Sequence, residues 1–262
     1  APELIVSVYS ALTDHSDIAL GNVIGSNIAN ITLVLGVTAL IFPLGFQKRL
    51  YRFDLPMMLF ASALFGVFLY SDSGLNFFEG FCFVLLLCFL TIYLIRYSQN
   101  NDNVSFDKNT QQTSLVKMLL YIVFGGGCLY LGSSWLVDGA AGIARYFGVS
   151  ERIISVSIIS FGTSVPEFAA SIIAALKKEK DLSIGNLIGS NIFNIFAVLG
   201  ITSMIQPIHV VDQGLIHNDI WWMFGAALLL YPLMFFFHKG HIGRIEGSLL
   251  FLFYSTYIIL LF

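Results

Sequence analysis

GNVIGSNIANITLVLG at Gly21–Gly36 returns as GNLIGSNIFNIFAVLG at Gly185–Gly200. Working outward from these two stretches, Pro2-Glu3 through Pro43 aligns without a gap on Pro166-Glu167 through Pro207. The offset is constant at 164 residues, and 21 of the 42 aligned positions are identical. Shared hydrophobicity can align scattered Leu and Ile. It does not align Pro, Glu, Gly, Asn and Ser together, so the chain carries an internal duplication.

The duplicated stretches sit in a very apolar chain. Of its 262 residues 57% are hydrophobic and 11% charged, with mean hydropathy +0.82, whereas a soluble domain carries roughly 25% charged residues. So little polar surface cannot keep a globule in water, and the reading is an all-α polytopic integral membrane protein with the lipid bilayer as its partner. Backbone groups in lipid must be satisfied within their own segment, which requires helices. The net charge of −3 gives no basic field, which argues against nucleic acid as a partner. Cys82, Cys88 and Cys128 lie within apolar runs and suggest neither a disulfide framework nor a zinc pattern.

Polar breaks divide the chain into an incomplete apolar run at Ala1–Leu12 and eight fuller ones: Asn22–Phe46, Leu55–Tyr70, Phe77–Ile95, Leu115–Phe147, Ile153–Leu176, Ile184–Ile208, Ile220–Phe237 and Ile245–Phe262. Lys and Arg set the orientation. One set of alternate loops holds Lys48, Arg49, Arg52, Arg96, Lys108, Lys117, Lys177, Lys178, Lys180, Lys239 and Arg244; the other holds only Arg145 and Arg152. The polar linker 98–114 is therefore expected in the cytoplasm, between membrane regions 1–97 and 115–262, with the C-terminus outside. Asp14, Asp17, Asp72, Glu79, Glu151, Asp212 and Asp219 gather on the outer side, and this rim is read as solvated loop surface.

Five crossings separate equivalent points of the two copies. Five is odd, so the copies lie in opposite orientations, giving an inverted repeat of two five-helix halves. Inverted repeats are a signature of secondary transporters, with the substrate site near the midplane between halves. The counterparts of Thr163 and Ser164 would fall just before Ala1, and the long Leu115–Phe147 run has no counterpart. The expectation is that the first helix and part of the second are missing here, and that ten spans make the whole.

Glu3 and Glu167 are the acidic residues that lie well inside the repeated helices. An ionisable group at mid-bilayer costs roughly 2.5–3.5 kcal/mol on insertion scales, which marks a functional pairing. The proline before each removes a backbone donor and frees carbonyls. Thr163 and Glu167 are four apart and share a helix face, as do Ser26 and Asn30, and Ser190 and Asn194. All these side chains offer oxygen, a donor set for hard cations such as Ca2+ and Na+. If the repeat brings the glutamates about 5 Å apart, they repel by roughly 3 kcal/mol at an effective dielectric near 20. A divalent cation relieves this, and when it leaves, protons or sodium ions must replace it, which is a physical basis for antiport. Other readings stay open at this point: a protonated, paired glutamate, serines bonded back to helix carbonyls, and asparagines acting as interhelical glue.

The G-T-S-x-P-E stretch at Gly162–Glu167, with G-N-x-x-G-S-N-x-x-N at Gly185–Asn194 and again at Gly21–Asn30, resembles the alpha repeats of the cation/Ca2+ antiporter superfamily, above all prokaryotic sodium/calcium exchangers and their potassium-dependent relatives. The resemblance implies the sodium/calcium exchanger fold, in a prokaryotic inner membrane, and exchange of cytoplasmic Ca2+ for Na+ by alternating access. It implies ion ligands at Glu3 and Glu167, Thr163 and Ser164, Ser26 and Asn30, and Ser190 and Asn194. Some sodium-driven members carry aspartate at one of the last motif positions, where this chain has asparagine in both. A Ca2+/H+ antiporter is thus the nearest alternative, and a cation channel a more distant one. No catalytic triad, HExxH or nucleotide fingerprint occurs, so no enzyme, no cofactor and no obligate protein partner are expected.

Overall fold

The computed structural model describes residues 2–46, 49–101, 115–177, 180–236 and 240–262. Much of the linker 98–114 (its residues 102–114) and the charges Lys48, Lys108, Lys178 and Lys239 lie outside the described residues. Nine helices form among those described: α1 Pro2–Leu12, α2 Ser16–Ile41, α3 Leu50–Asp72, α4 Phe77–Asn101, α5 Leu115–Phe147, α6 Glu151–Leu176, α7 180–205, α8 215–236 and α9 Arg244–Leu261. Among the described residues, six helices are long and apolar enough to cross a membrane. The helix order follows the apolar runs of the sequence.

The duplication is visible as an approximate twofold symmetry that relates α2 to α7, α3 to α8 and α4 to α9, and extends to details no hydropathy pattern specifies. α2 and α7 both widen into a π-turn at the last asparagine of the motif, Asn30–Val34 and Asn194–Leu199; such turns recur at functional sites. Both helices end at a proline. The preceding residues, Phe42 (φ −129°, ψ 111°) and Gln206 (φ −141°, ψ 120°), are extended, because a following proline ring disfavours the helical region. Two-residue strands follow, β1 Leu44–Gly45 and, in the second half, β3 Ile208–His209. β1 pairs antiparallel with β4 (His241–Ile242), and β2 (Gly74–Leu75) pairs with β3. Each ribbon therefore takes one strand from each half.

Small residues set where helices cross. Gly36 on α2 meets Gly247 on α9: a Cβ added at Gly36 would lie 3.1 Å from the Gly247 carbonyl oxygen. In the symmetric crossing, a Cβ at Gly200 on α7 would lie 3.1 Å from the Gly80 carbonyl oxygen on α4. The last helix of each half thus rests on the other half. Closer to the centre, Gly21 and Gly25 let α6 approach α2, where Ser155 Oγ donates to the Ile18 carbonyl at 2.8 Å. Gly25→Ala would put its methyl 2.6 Å from the Val156 carbonyl oxygen, an overpacking expected to cost about 1–3 kcal/mol. Thermal melting in detergent checks this, with Gly45→Ala, whose Cβ meets nothing nearer than 3.9 Å among the described residues, as the neutral control.

The outer acidic rim departs from its sequence reading in part: Asp14 and Asp72 are exposed, as expected of solvated loops. Asp17 and Asp219 are buried. Asp17 accepts the backbone N–H groups of Val211 and Asp212, both at 2.9 Å, fastening the loop after β3. Asp219 takes two hydrogen bonds from Arg152. Glu79 accepts the Asn76 N–H at 2.8 Å while Asn76 Oδ1 accepts from Phe78 and Glu79, a capping box at the start of α4. Its symmetry mate Glu246 accepts the Gly243 N–H at 2.8 Å on α9. Asp17, Glu79 and Glu246 thus satisfy backbone donors left at loop ends and helix termini, and Asp219 meets the Arg152 guanidinium.

Candidate functional site

The Pro-Glu pairs bring two acidic side chains to the centre. Pro166 lies inside α6 and Pro2 opens α1. Glu3, only 2% exposed, and half-buried Glu167 line one cavity of about 480 Å3 together with Asn186, Ser190, Asn194, Gly185, Gly189 and Phe193 of α7. The two carboxylates lie within electrostatic range of each other. Four of the eight residues singled out from the sequence thus share a cavity wall.

The other four, Ser26, Asn30, Thr163 and Ser164, are buried but outside that wall. Thr163 Oγ1 donates to Asn22 Oδ1 at 3.0 Å and lies 3.1 Å from Ser26 Oγ. Asn22 Nδ2 in turn donates to the Glu3 carbonyl at 3.2 Å and to Ser7 Oγ at 3.0 Å. Asn22 therefore ties α1, α2 and α6 into one polar cluster. Ser26 bonds across helices, its hydroxyl also reaching the Ser160 carbonyl at 3.4 Å, instead of back to its own helix. The glue reading of the asparagines holds for their nitrogens: Asn30 Nδ2 donates to Asn191 Oδ1 at 3.0 Å, and Asn194 Nδ2 to Asn27 Oδ1 at 3.1 Å.

Three oxygens of this region, Asn30 Oδ1, Ser164 Oγ and Glu167 Oε2, are buried with no hydrogen-bond partner among the described residues. Ser171 Oγ and Thr202 Oγ1 share that state farther along α6 and α7. Leaving a buried polar group unsatisfied costs about 1–3 kcal/mol, a cost that a bound cation would remove. Among the described residues no group of three or more His, Cys, Asp or Glu side chains gathers. A cation here would be held by two carboxylates and neutral oxygens, a hard-ion donor set. Sequence reasoning passed over Asn22, Asn27, Asn186 and Asn191. They belong to the same repeated motif, and their recurrence in both copies was the available signal.

Inverted halves meeting at a pair of glutamates on one cavity wall define a membrane transporter of the antiporter class, and comparison with known proteins agrees. The model of the sodium/calcium exchanger protein family matches residues 1–96 and 117–262. The chain is 37% identical to CaxA of Alkalimonas amylolytica over 100% of its own length and 84% of that protein's. It is 28% identical to the sodium/calcium exchanger MaX1 of Methanosarcina acetivorans, covering 100% of this chain and 85% of that one. Among solved structures it matches the sodium-calcium exchanger NCX_Mj soaked with Na+ and Ca2+, with a TM-score of 0.70 and 29% identity over 99% of this chain and 81% of that one. The chain belongs to the sodium/calcium exchanger family.

Proposed function

We propose that this protein is a Ca2+ antiporter that removes Ca2+ from the cytoplasm in exchange for Na+ by alternating access. The observation that carries the reading is the pair of glutamates from opposite copies of the repeat on one cavity wall, beside buried oxygens that lack partners among the described residues. Glu3 and Glu167 supply the charge that a divalent ion neutralises. Ser26, Asn30, Thr163, Ser164, Ser190 and Asn194 supply neutral oxygens. Membership of a transporter family, and the lack of any nucleophile–base pair in the motifs, speak for transport and against an enzyme. The division into membrane regions 1–97 and 115–262 around a cytoplasmic linker 98–114, the outward C-terminus and placement in a prokaryotic inner membrane rest on the positive-inside count. The bilayer and the ions suffice as partners in this scheme.

Exchange of Ca2+ for H+ is the second reading. It draws support from Asn30 and Asn194, which leave two carboxylates in the site and no third to balance additional sodium ions. Radiolabelled Ca2+ uptake into proteoliposomes, driven by an outward Na+ gradient or separately by an outward H+ gradient of equal size, separates the two. Uptake with sodium alone is expected. Uptake with protons alone would move the protein to the proton-coupled reading and make the glutamates proton carriers.

A further inference from the structure

Where α2 and α7 cross, Asn27 and Asn191 each reach the backbone of the opposite helix. Asn191 Nδ2 donates to the Asn27 carbonyl at 3.0 Å, and Asn27 Nδ2 donates to the Asn191 carbonyl at 3.3 Å. A backbone carbonyl can only accept, so it leaves neither amide a choice of orientation. With its NH2 committed, each must turn its Oδ1 the other way, toward the final asparagine of the facing motif. Asn30 and Asn194 can meet that oxygen only by donating, and they do, at 3.0 and 3.1 Å. Their own carbonyl oxygens are then what remains. Asn30 Oδ1 is buried without a partner among the described residues, and Asn194 lines the cavity with Glu3 and Glu167.

We infer that Asn27 and Asn191 are positioning residues that lock the amides of Asn30 and Asn194 with oxygen, and never NH2, available to a cation. The orientation starts from an acceptor that cannot change and passes through two side-chain amides in sequence. The same relay runs in both directions across the twofold axis, so each half of the site is set by the other. A flipped Asn30 or Asn194 would present two N–H dipoles to a cation and repel it. The relay therefore sets which sign of charge the neutral part of the site accepts. The inference rests on the proposed reading of Asn30 and Asn194 as ion ligands.

A double-mutant cycle on the detergent-purified protein, with Ca2+ binding read by calorimetry, tests it. Asn191→Ala removes the acceptor that holds the Asn30 amide and is expected to weaken Ca2+ binding about 10–100-fold, the range for losing a residue that orients a metal ligand. In an Asn30→Asp background both terminal atoms are oxygen, so orientation no longer matters, and a carboxylate oxygen facing the acceptor Asn191 Oδ1 gains no hydrogen bond from it. There Asn191→Ala is expected to cost no more than about threefold. Loss of helix packing at the crossing would instead appear equally in both backgrounds, as a drop in melting temperature and in affinity, and equal affinity losses would overturn the positioning role while leaving the site reading intact. Asn30→Ala without effect on Ca2+ binding would remove Asn30 from the site and the inference with it. Asn27→Ala against Asn194→Asp is the mirror cycle and should give the same pattern.

Discussion

Glu167→Gln abolishes Ca2+ exchange and leaves the protein folded: that is the expected result of replacing one of the two carboxylates on the cavity wall by an amide of nearly the same size. Unit charges 4 Å apart interact by about 4 kcal/mol at an effective dielectric of 20, and every 1.4 kcal/mol is tenfold in affinity. Removing one charge beside a divalent ion should therefore weaken Ca2+ at least about a hundredfold, below detection in a vesicle flux assay. The fold has little stake in that charge. Glu167 is half-buried and its Oε2 has no hydrogen-bond partner among the described residues, so the amide should if anything be easier to bury than the carboxylate. Flux in proteoliposomes and melting in detergent measure the two halves of the prediction. Wild-type flux from the variant would take Glu167 out of the ion site.

Asp219→Ala is expected to do the opposite, costing stability first. Arg152 on α6 donates to both carboxylate oxygens, Nε to Oδ2 at 2.6 Å and Nη2 to Oδ1 at 3.0 Å, and Tyr257 on α9 donates its hydroxyl at 3.2 Å. The Asp219 side chain is fully buried and that of Arg152 is 13% exposed, so removing the carboxylate leaves the buried guanidinium with only the longer Asp212 contact among the described residues, at 3.9 Å. Breaking such a pair from one side costs about 3–5 kcal/mol. Melting temperature and the yield of monodisperse protein should both fall. Arg152→Met combined with Asp219→Leu should recover most of the loss, because a packed apolar pair carries no desolvation cost. A single variant that melts with the wild type would show that the pair holds nothing together.

Much of this architecture can be read from residues that recur. Pro2 and Pro166, Glu3 and Glu167, and the asparagines of the repeated motif are rare in apolar helices, so their shared offset carries information that Leu and Ile do not. The order of helices and the pairing of the two glutamates follow from it. What could not be read depends on contacts between segments far apart in sequence. Past Pro207 the identities fade, and the symmetry continues with an offset of 165 at Asp54 and Asp219 and of 167 at Glu79 and Glu246, which alignment of apolar letters does not detect. Asp219 looked like rim surface because Arg152, which buries it, stands 67 residues away. The amide relay escaped for a related reason. Its members sit in the quoted motif, yet which asparagine donates and which accepts is decided by a backbone carbonyl on the other helix.

The crossed arrangement of the halves also bears on how the chain is made. The Gly36 face of α2 is covered by α9, which begins about 200 residues further along the chain, and the Gly200 face of α7 by α4. At translation rates of about 5–20 residues per second, α2 waits roughly 10–40 s in the bilayer before its covering helix exists. During that interval the newborn first half holds an open glycine face and an unpaired β1 strand, and neither half synthesised by itself would ever close them. The two halves are therefore finished at different times: α7 finds its cover, α4, already in the bilayer, whereas α2 and β1 wait for β4 and α9 of the second half.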